Sequence, residues 1–246
     1  MEFRSAEEVE LPSNSKILAW YVELGTPRKI IQHCQAAGQR AEFLAEKIDA
    51  NIKPYVSPKL ARALNDVHDM PKTVALNLKK LLHDPTTDTW NIPNWNEFKG
   101  WRYLRKNFKG EHEIDVAAQV IAPDFPKFAQ IVRQLGSTAT PVYLKSHFQE
   151  VLIAHYTDWR THGTTTVPLS ERLQYLKKYF PGDNDAWIKR GFKELEIEEF
   201  LFEQLPFGPE DLSTLFLQEK LEKPSRGNVH HRTKQTAPNQ LDRHQP

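Results

Sequence analysis

The sequence has a single cysteine, Cys34, so no disulfide can form within the chain and no thiolate cluster is at hand to hold zinc. A reducing compartment follows as the expectation, and the chain reads as a cytoplasmic protein. Glycine is sparse, at ten residues, and none of it forms a glycine-rich phosphate loop, which argues against P-loop and Rossmann folds. Long apolar runs are missing: none approaches the roughly 20 residues that cross a bilayer, and no membrane association is expected. The opening stretch MEFRSAEEVELPSNS carries acids and no apolar run, unlike a signal peptide. An excess of charge is missing too. A net +1 gives no long-range attraction to nucleic acid or to an acidic membrane. Strand alternation and internal repeats are absent.

What remains is helix. Hydrophobic residues make up 39% of the chain, enough for a core. Apolar or small residues recur at Ile30, Cys34, Ala37, Ala41, Leu44 and Ile48, in steps of three and four that make one buried helical face. Thr26 is placed to cap this helix, with Pro27 in its first turn. Further helices are predicted over 57–67 with Pro58 in the first turn, 73–82, 101–108, 114–121, 125–135 closed by Gly136, 141–160, 169–180 and 186–205. The aromatic stretch from Trp90 to Trp101 reads as an ordered loop. In the 141–160 helix, Phe148, Val151, Leu152, His155 and Trp159 form the inward side.

These helices define one all-α domain over residues 14–222. Residues 223–246 differ: Lys223, Arg226, Arg232, Lys234 and Arg243 face one acid, Asp242, a net +4 that leaves −3 for the rest of the chain. With so few apolar residues the segment cannot offset its ordering entropy, and we expect a disordered basic tail. A solvated tail is the plainer reading of its charge, a weak nucleic-acid contact the other.

The chemistry-bearing feature is a set of His and Asp residues on different predicted helices: His33, then His68-Asp69, then Asp158. Imidazole nitrogen with carboxylate oxygen suits one divalent transition metal, Mn, Fe, Co, Ni or Zn, where oxygen alone would suit Mg or Ca. Met70-Pro71 supports a turn just after His68-Asp69. A rival pair, His83-Asp84 in LKKLLHDP, otherwise reads as a helix end.

Four segments in order carry a resemblance: TPRKIIQHCQAAGQRAEFLAEKI, VSPKLARALNDVHDMPK, GEHEIDVAAQVIAPDFPKFAQIV and FQEVLIAHYTDWRTHGTTTVPLSERLQYLKKYF. Over about residues 16–200 the chain resembles the HD superfamily of metal-dependent phosphohydrolases. The resemblance implies an all-α HD-type domain with a metal held between helices, and hydrolysis of a small phosphate ester, often a nucleotide. It implies His33, His68, Asp69 and Asp158 as ligands. Such a metal lowers the pKa of a bound water and polarises a phosphoryl oxygen. Two-metal members use further histidines in the middle helices. His112 matches the first of these, whereas the second falls near Leu135, so a mononuclear site is expected and His112 is assigned to substrate or acid–base work. Some members carry a Glu just after His-Asp; here Lys72 stands nearby and suits a phosphate.

Glu111 is the candidate for activating water. Arg102, Arg105 and Arg160 are candidates to bind phosphate, against the plainer reading of solvated or ion-paired side chains. Trp90, Trp95 and Trp101 suit base stacking or core closure. His155, one turn before Asp158, suits a hydrogen bond to it. The leading reading is a phosphohydrolase. A catalytically silent HD domain that binds a nucleotide or a protein partner is the alternative, and a nucleic-acid binder working through the tail is a third.

Overall fold

The structure, a computed structural model, describes residues 9–48, 56–76, 82–84, 89–90, 92–136, 149–179 and 182–222. The fold is all-α. Helix α1 spans Asn14–Leu24, with Ser13 accepting the Lys16 N–H at its start and left-handed Gly25 at its end. Helix α2 spans Arg28–Lys47 and buries the predicted face of Ile30, Cys34, Ala37, Ala41 and Leu44. Helix α3, Pro58–His68, starts from Ser57 as N-cap with Pro58 in its first turn. Helix α4 covers Trp95–Asn107, α5 Glu113–Ile121 and α6 Pro126–Val132, the last running into a 3-10 turn at Arg133–Leu135. Helix α7 is Gln149–Trp159, α8 Leu169–Tyr179, α9 Asn184–Phe202 and α10 Leu212–Glu222.

Three of these helices set the functional geometry. α2 packs along α3, and α7 lies against both. The close fit of α2 on α3 depends on small residues. A Cβ added at Gly38 would stand 2.7 Å from Asp66 Oδ1 and 3.1 Å from the Arg62 carbonyl. The joint core holds Leu44, Leu60, Leu64, Met70 and Tyr156, each almost wholly buried. Each apolar side chain so buried contributes about 1.5–3 kcal/mol relative to exposure. A second close crossing joins α1 to α4, where a Cβ on Gly100 would lie 2.3 Å from the Leu24 carbonyl carbon. Trp101 closes that crossing by donating from Nε1 to the Gly25 carbonyl at 2.6 Å.

Several expectations are corrected. Thr26 does not cap α2. The cap is Pro27, and the Thr26 hydroxyl instead donates to the Met70 carbonyl at 2.8 Å, tying the start of α2 to the turn beyond α3. The stretch from Trp90 to Trp101 is not all loop: α4 begins at Trp95 because Asn94 and Glu97 form a reciprocal capping box. Of the helix expected over 73–82, the start is a 3-10 turn at Lys72–Val74, Leu82 is helical, and residues 77–81 lie outside the described part. Gly136 does close the 125–135 segment, in extended backbone. Two short antiparallel pairs were not foreseen: β1 (His83–Asp84) with β2 (Thr89–Trp90), and β3 (Thr161–His162) with β4 (Thr165–Thr166). The rival His83-Asp84 forms strand β1, directly after the helical Leu82. The basic segment 223–246, residues 141–148 with Phe148, and the Trp90 side chain lie outside the described residues. No described helix is long and apolar enough to cross a membrane.

Candidate metal centre

His33 projects from the second turn of α2, His68 is the last residue of α3, and Asp158 sits near the end of α7. Because those helices pack on one another, one ligand atom from each lies within 4.8 Å of the other two. His33 Nε2 is 2.8 Å from Asp158 Oδ1, and His68 Nε2 is 3.4 Å from the same oxygen.

The backbone orients both imidazoles. His68 Nδ1 lies 2.7 Å from the Asn65 carbonyl, and His33 Nδ1 lies 3.2 Å from the Gly163 carbonyl. A carbonyl only accepts, so each Nδ1 donates and each Nε2 turns its lone pair to the centre. Gly163 reaches its position through a left-handed turn, φ 59°, between β3 and β4. Asn65 is held in turn, its amide donating to the Thr157 hydroxyl at 2.8 Å.

His68 Nε2 is buried and makes no hydrogen bond among the described residues, its nearest carboxylate oxygen being Asp158 Oδ1 at 3.4 Å. A buried nitrogen left without a partner is costly unless something else occupies its lone pair. Two imidazole nitrogens and a carboxylate oxygen fit a borderline divalent cation of the Mn-to-Zn series.

Asp69 stands at the edge of this group. Its Oδ2 is 3.6 Å from His68 Nε2, while its Oδ1 accepts from Lys72 at 2.9 Å. It falls outside the set of atoms within 4.8 Å. Burial would depress the His68 imidazole, but the Asp69 carboxylate, the Cys34 thiol and the Asp158 carboxylate outweigh it and raise the group well above its ordinary value. Burial would raise Asp158, but His68 and His33 hold it well below the usual carboxylate range. Lys72 and His68 likewise lower Asp69 against burial. Lys72 itself is raised, since Asp69 and Glu113 outweigh its desolvation.

The cluster opens into a cavity of about 530 Å³. Its lining includes His112, Glu113 and Leu135 together with Arg172, Tyr175 and Arg190. The Arg172 guanidinium lies over the Tyr175 ring at 5.5 Å and that of Arg190 over Trp159 at 4.5 Å. Arg172 Nε is buried with no hydrogen-bond partner among the described residues.

The other sequence candidates are distributed unevenly. Lys72 and His112 line the cavity, His112 also capping α5 by accepting the Ile114 N–H at Nδ1. Glu111 does not line it: the side chain is exposed and accepts from Gln119. The carboxylate facing the cavity is Glu113, because α5 begins two residues later than Glu111. Arg102 and Arg105 are on α4 around a separate surface pocket with Phe98 and Lys106, and Arg105 donates to the Leu76 carbonyl. Arg160 is not available to a phosphate. It is buried, and its donors go to the carbonyls of Val167 and Pro209 and to Glu198. His155 does not bond Asp158; its Nε2 pairs with buried Glu194 on α9 at 2.9 Å. Trp95 is exposed, and Trp101 serves the α1–α4 crossing. His83 is not in the cluster.

Sequence reasoning missed Glu113, Arg172, Arg190 and the aromatic wall. Arg172 sits inside the SERL segment, where it was legible as a cation. Arg190 depends on how α9 docks, which no local pattern announces. No family model, curated protein or solved structure matches the chain.

Proposed function

We propose that this chain is a metal-dependent phosphohydrolase of the HD kind, acting on a small phosphate ester, with a nucleotide as the expected substrate. One observation carries the reading: His33, His68 and Asp158, from three helices, bring ligand atoms within 4.8 Å of one another, and the buried His68 Nε2 among them makes no hydrogen bond among the described residues. His33, His68 and Asp158 would hold the ion, with Asp69 beside His68 as the fourth donor. A divalent ion there supplies Lewis acidity toward a phosphoryl oxygen and toward water.

The chain's own residues supply the rest of the chemistry. Arg172 and Arg190 put two guanidinium groups in the same cavity and suit the oxygens of a phosphate. Their fixed charge stabilises the negative charge that builds up as the ester is cleaved. Tyr175, Trp159 and Trp187 add aromatic surface to the cavity lining that suits a base. His112, partly open to solvent at the rim, suits protonation of the leaving oxygen. Glu113 takes the place first given to Glu111 in the cavity lining, its Oε1 3.1 Å from Lys72 Nζ.

The test is elemental analysis of the protein purified under metal-limited conditions and reloaded with Mn(II), followed by a screen of nucleotide monophosphates for released phosphate. About one ion per chain with phosphate release supports the reading. One ion without hydrolysis turns it to the silent domain, and no ion after reloading overturns it.

A further inference from the structure

We infer that the exposed face of α4 is a binding site for single-stranded nucleic acid, separate from the metal centre and independent of the metal reading. Trp95, Lys99, Arg102 and Lys106 follow one another at intervals of four, three and four, so they form one line along the outside of the helix. All four are exposed. By the turn of the helix, Phe98 stands on one side of that line and Tyr103 on the other. Their side chains are 40% and 47% exposed. The opposite side, with Gly100, Trp101 and Leu104, is buried. A cavity of about 640 Å³ opens along Phe98, Arg102, Tyr103 and Lys106.

Residues 95–109 hold Lys99, Arg102, Arg105, Lys106 and Lys109 against Glu97, a net +4 in a chain of net +1. At physiological salt charges act over about 8 Å, so this local excess, and not the net charge, decides what the face holds. Glu97 is taken up by the helix cap, accepting the Asn94 N–H at 2.8 Å, and Arg105 donates to the Leu76 carbonyl. Lys99, Arg102 and Lys106 make no ion pair among the described residues. A line of three cations flanked by rings suits a phosphate backbone that tracks the cations while unpaired bases turn aside onto the rings. From Lys99 to Lys106 the helix rises about 10 Å, the span of about three stacked nucleotides. The cations also sit against rings: Lys99 Nζ is 5.5 Å from the Trp95 centroid and Arg102 Cζ 6.0 Å from that of Phe98. Other anionic surfaces fit less well. A helix that lies on a membrane keeps its rings on one face and its cations on the other, whereas Trp95 here shares a line with the cations. A duplex keeps its bases stacked inside and offers none to Phe98 and Tyr103.

The test is fluorescence anisotropy of a short fluorescein-labelled oligothymidylate with the full chain, over a series of salt concentrations. Three neutralised phosphates predict a slope of about −2 in log association constant against log salt. Arg102→Gln should weaken binding and make that slope shallower by about 0.7. Tyr103→Ala should weaken binding about fivefold or more and leave the slope unchanged. Lys99→Gln, Arg102→Gln and Lys106→Gln together should abolish binding, and Arg232→Gln, Lys234→Gln and Arg243→Gln together, in the basic C-terminal segment, should keep it. If the triple variant of α4 does not fold by circular dichroism, the two single variants decide. No binding at low salt, binding that survives the α4 exchanges, loss only with the C-terminal exchanges, or equal binding of the matched duplex each overturns the inference. If the wild type ignores the strand and the α4 exchanges release it from phosphatidylserine vesicles, the face belongs to a membrane and the inference falls.

Discussion

The His68 imidazole donates from Nδ1 to the carbonyl of Asn65, three residues back on the same helix, at 2.7 Å. That bond consumes one ring nitrogen and turns the other toward Asp158 Oδ1, 3.4 Å away. The metal-free protein should therefore show an Nε2-facing imidazole that holds its proton well above the ordinary histidine range. In Asp158→Asn the proton should leave at lower pH, and the variant should lose the ion. Histidine NMR titration of both metal-free proteins checks the first half, and elemental analysis the second. An unchanged His68 titration in Asp158→Asn would break the pairing.

On the proposed metal reading, metal and proton would compete for the same atoms. Because His68 is raised, the stability it lends the empty site is present below the ordinary imidazole range and fades as pH rises through its folded value. Because Asp158 and Asp69 are lowered, their contribution is present above the ordinary carboxylate range and fades as pH falls through their folded values. The empty centre is thus most stabilising between those limits, and ion affinity should climb with pH as His68 gives up its proton. Calorimetry of Mn(II) binding in two buffers of different ionisation heat should find about one proton released per ion near neutral pH. Binding with no buffer dependence would contradict this.

Arg160 and Arg172 should fail in opposite ways. Arg160→Ala leaves Glu198 and two carbonyls without their buried donor and should destabilise the fold by about 3–5 kcal/mol in denaturant unfolding. Arg172→Ala should keep the fold and weaken a bound nucleotide monophosphate about tenfold, the equivalent of about 1.4 kcal/mol. Equal losses of stability in the two variants would remove Arg172 from the substrate site.

The crossing of α1 and α4 offers a test that leaves the centre untouched. Gly100→Ala would push a methyl to 2.3 Å from the Leu24 backbone and should cost about 1–3 kcal/mol or more. Gly136→Ala meets its nearest neighbour at 3.7 Å, with backbone that alanine tolerates, and should be neutral or slightly stabilising. Urea unfolding of the two variants side by side should separate them clearly.

The helical face of α2 and the pair of turns that end at His68 were legible because a period of 3.6 and an N-terminal proline are local signals. So was the meeting of His33, His68 and Asp158, but only through the order of whole segments. The composition of the Trp90–Trp101 stretch hid the Asn94–Glu97 capping box. The fate of Arg160 was illegible for a different reason: a guanidinium two residues beyond Asp158 looks the same in sequence whether it faces the cavity or its Glu198 partner 38 residues on. The exchange of Glu111 for Glu113 came down to where α5 begins, the least certain feature of any helix read from sequence.

The His33–Asp158 hydrogen bond spans 125 positions of the chain. A ribosome adding about 5–20 residues per second exposes both histidines roughly 5–20 seconds before Asp158 is even made. During synthesis the nascent chain carries a pair of imidazoles and no complete chelate, so it cannot close on whatever ion is most abundant nearby. On the proposed metal reading, selection of the ion would be postponed until α7 had docked on α2 and α3, when geometry rather than bare affinity would decide which one stays.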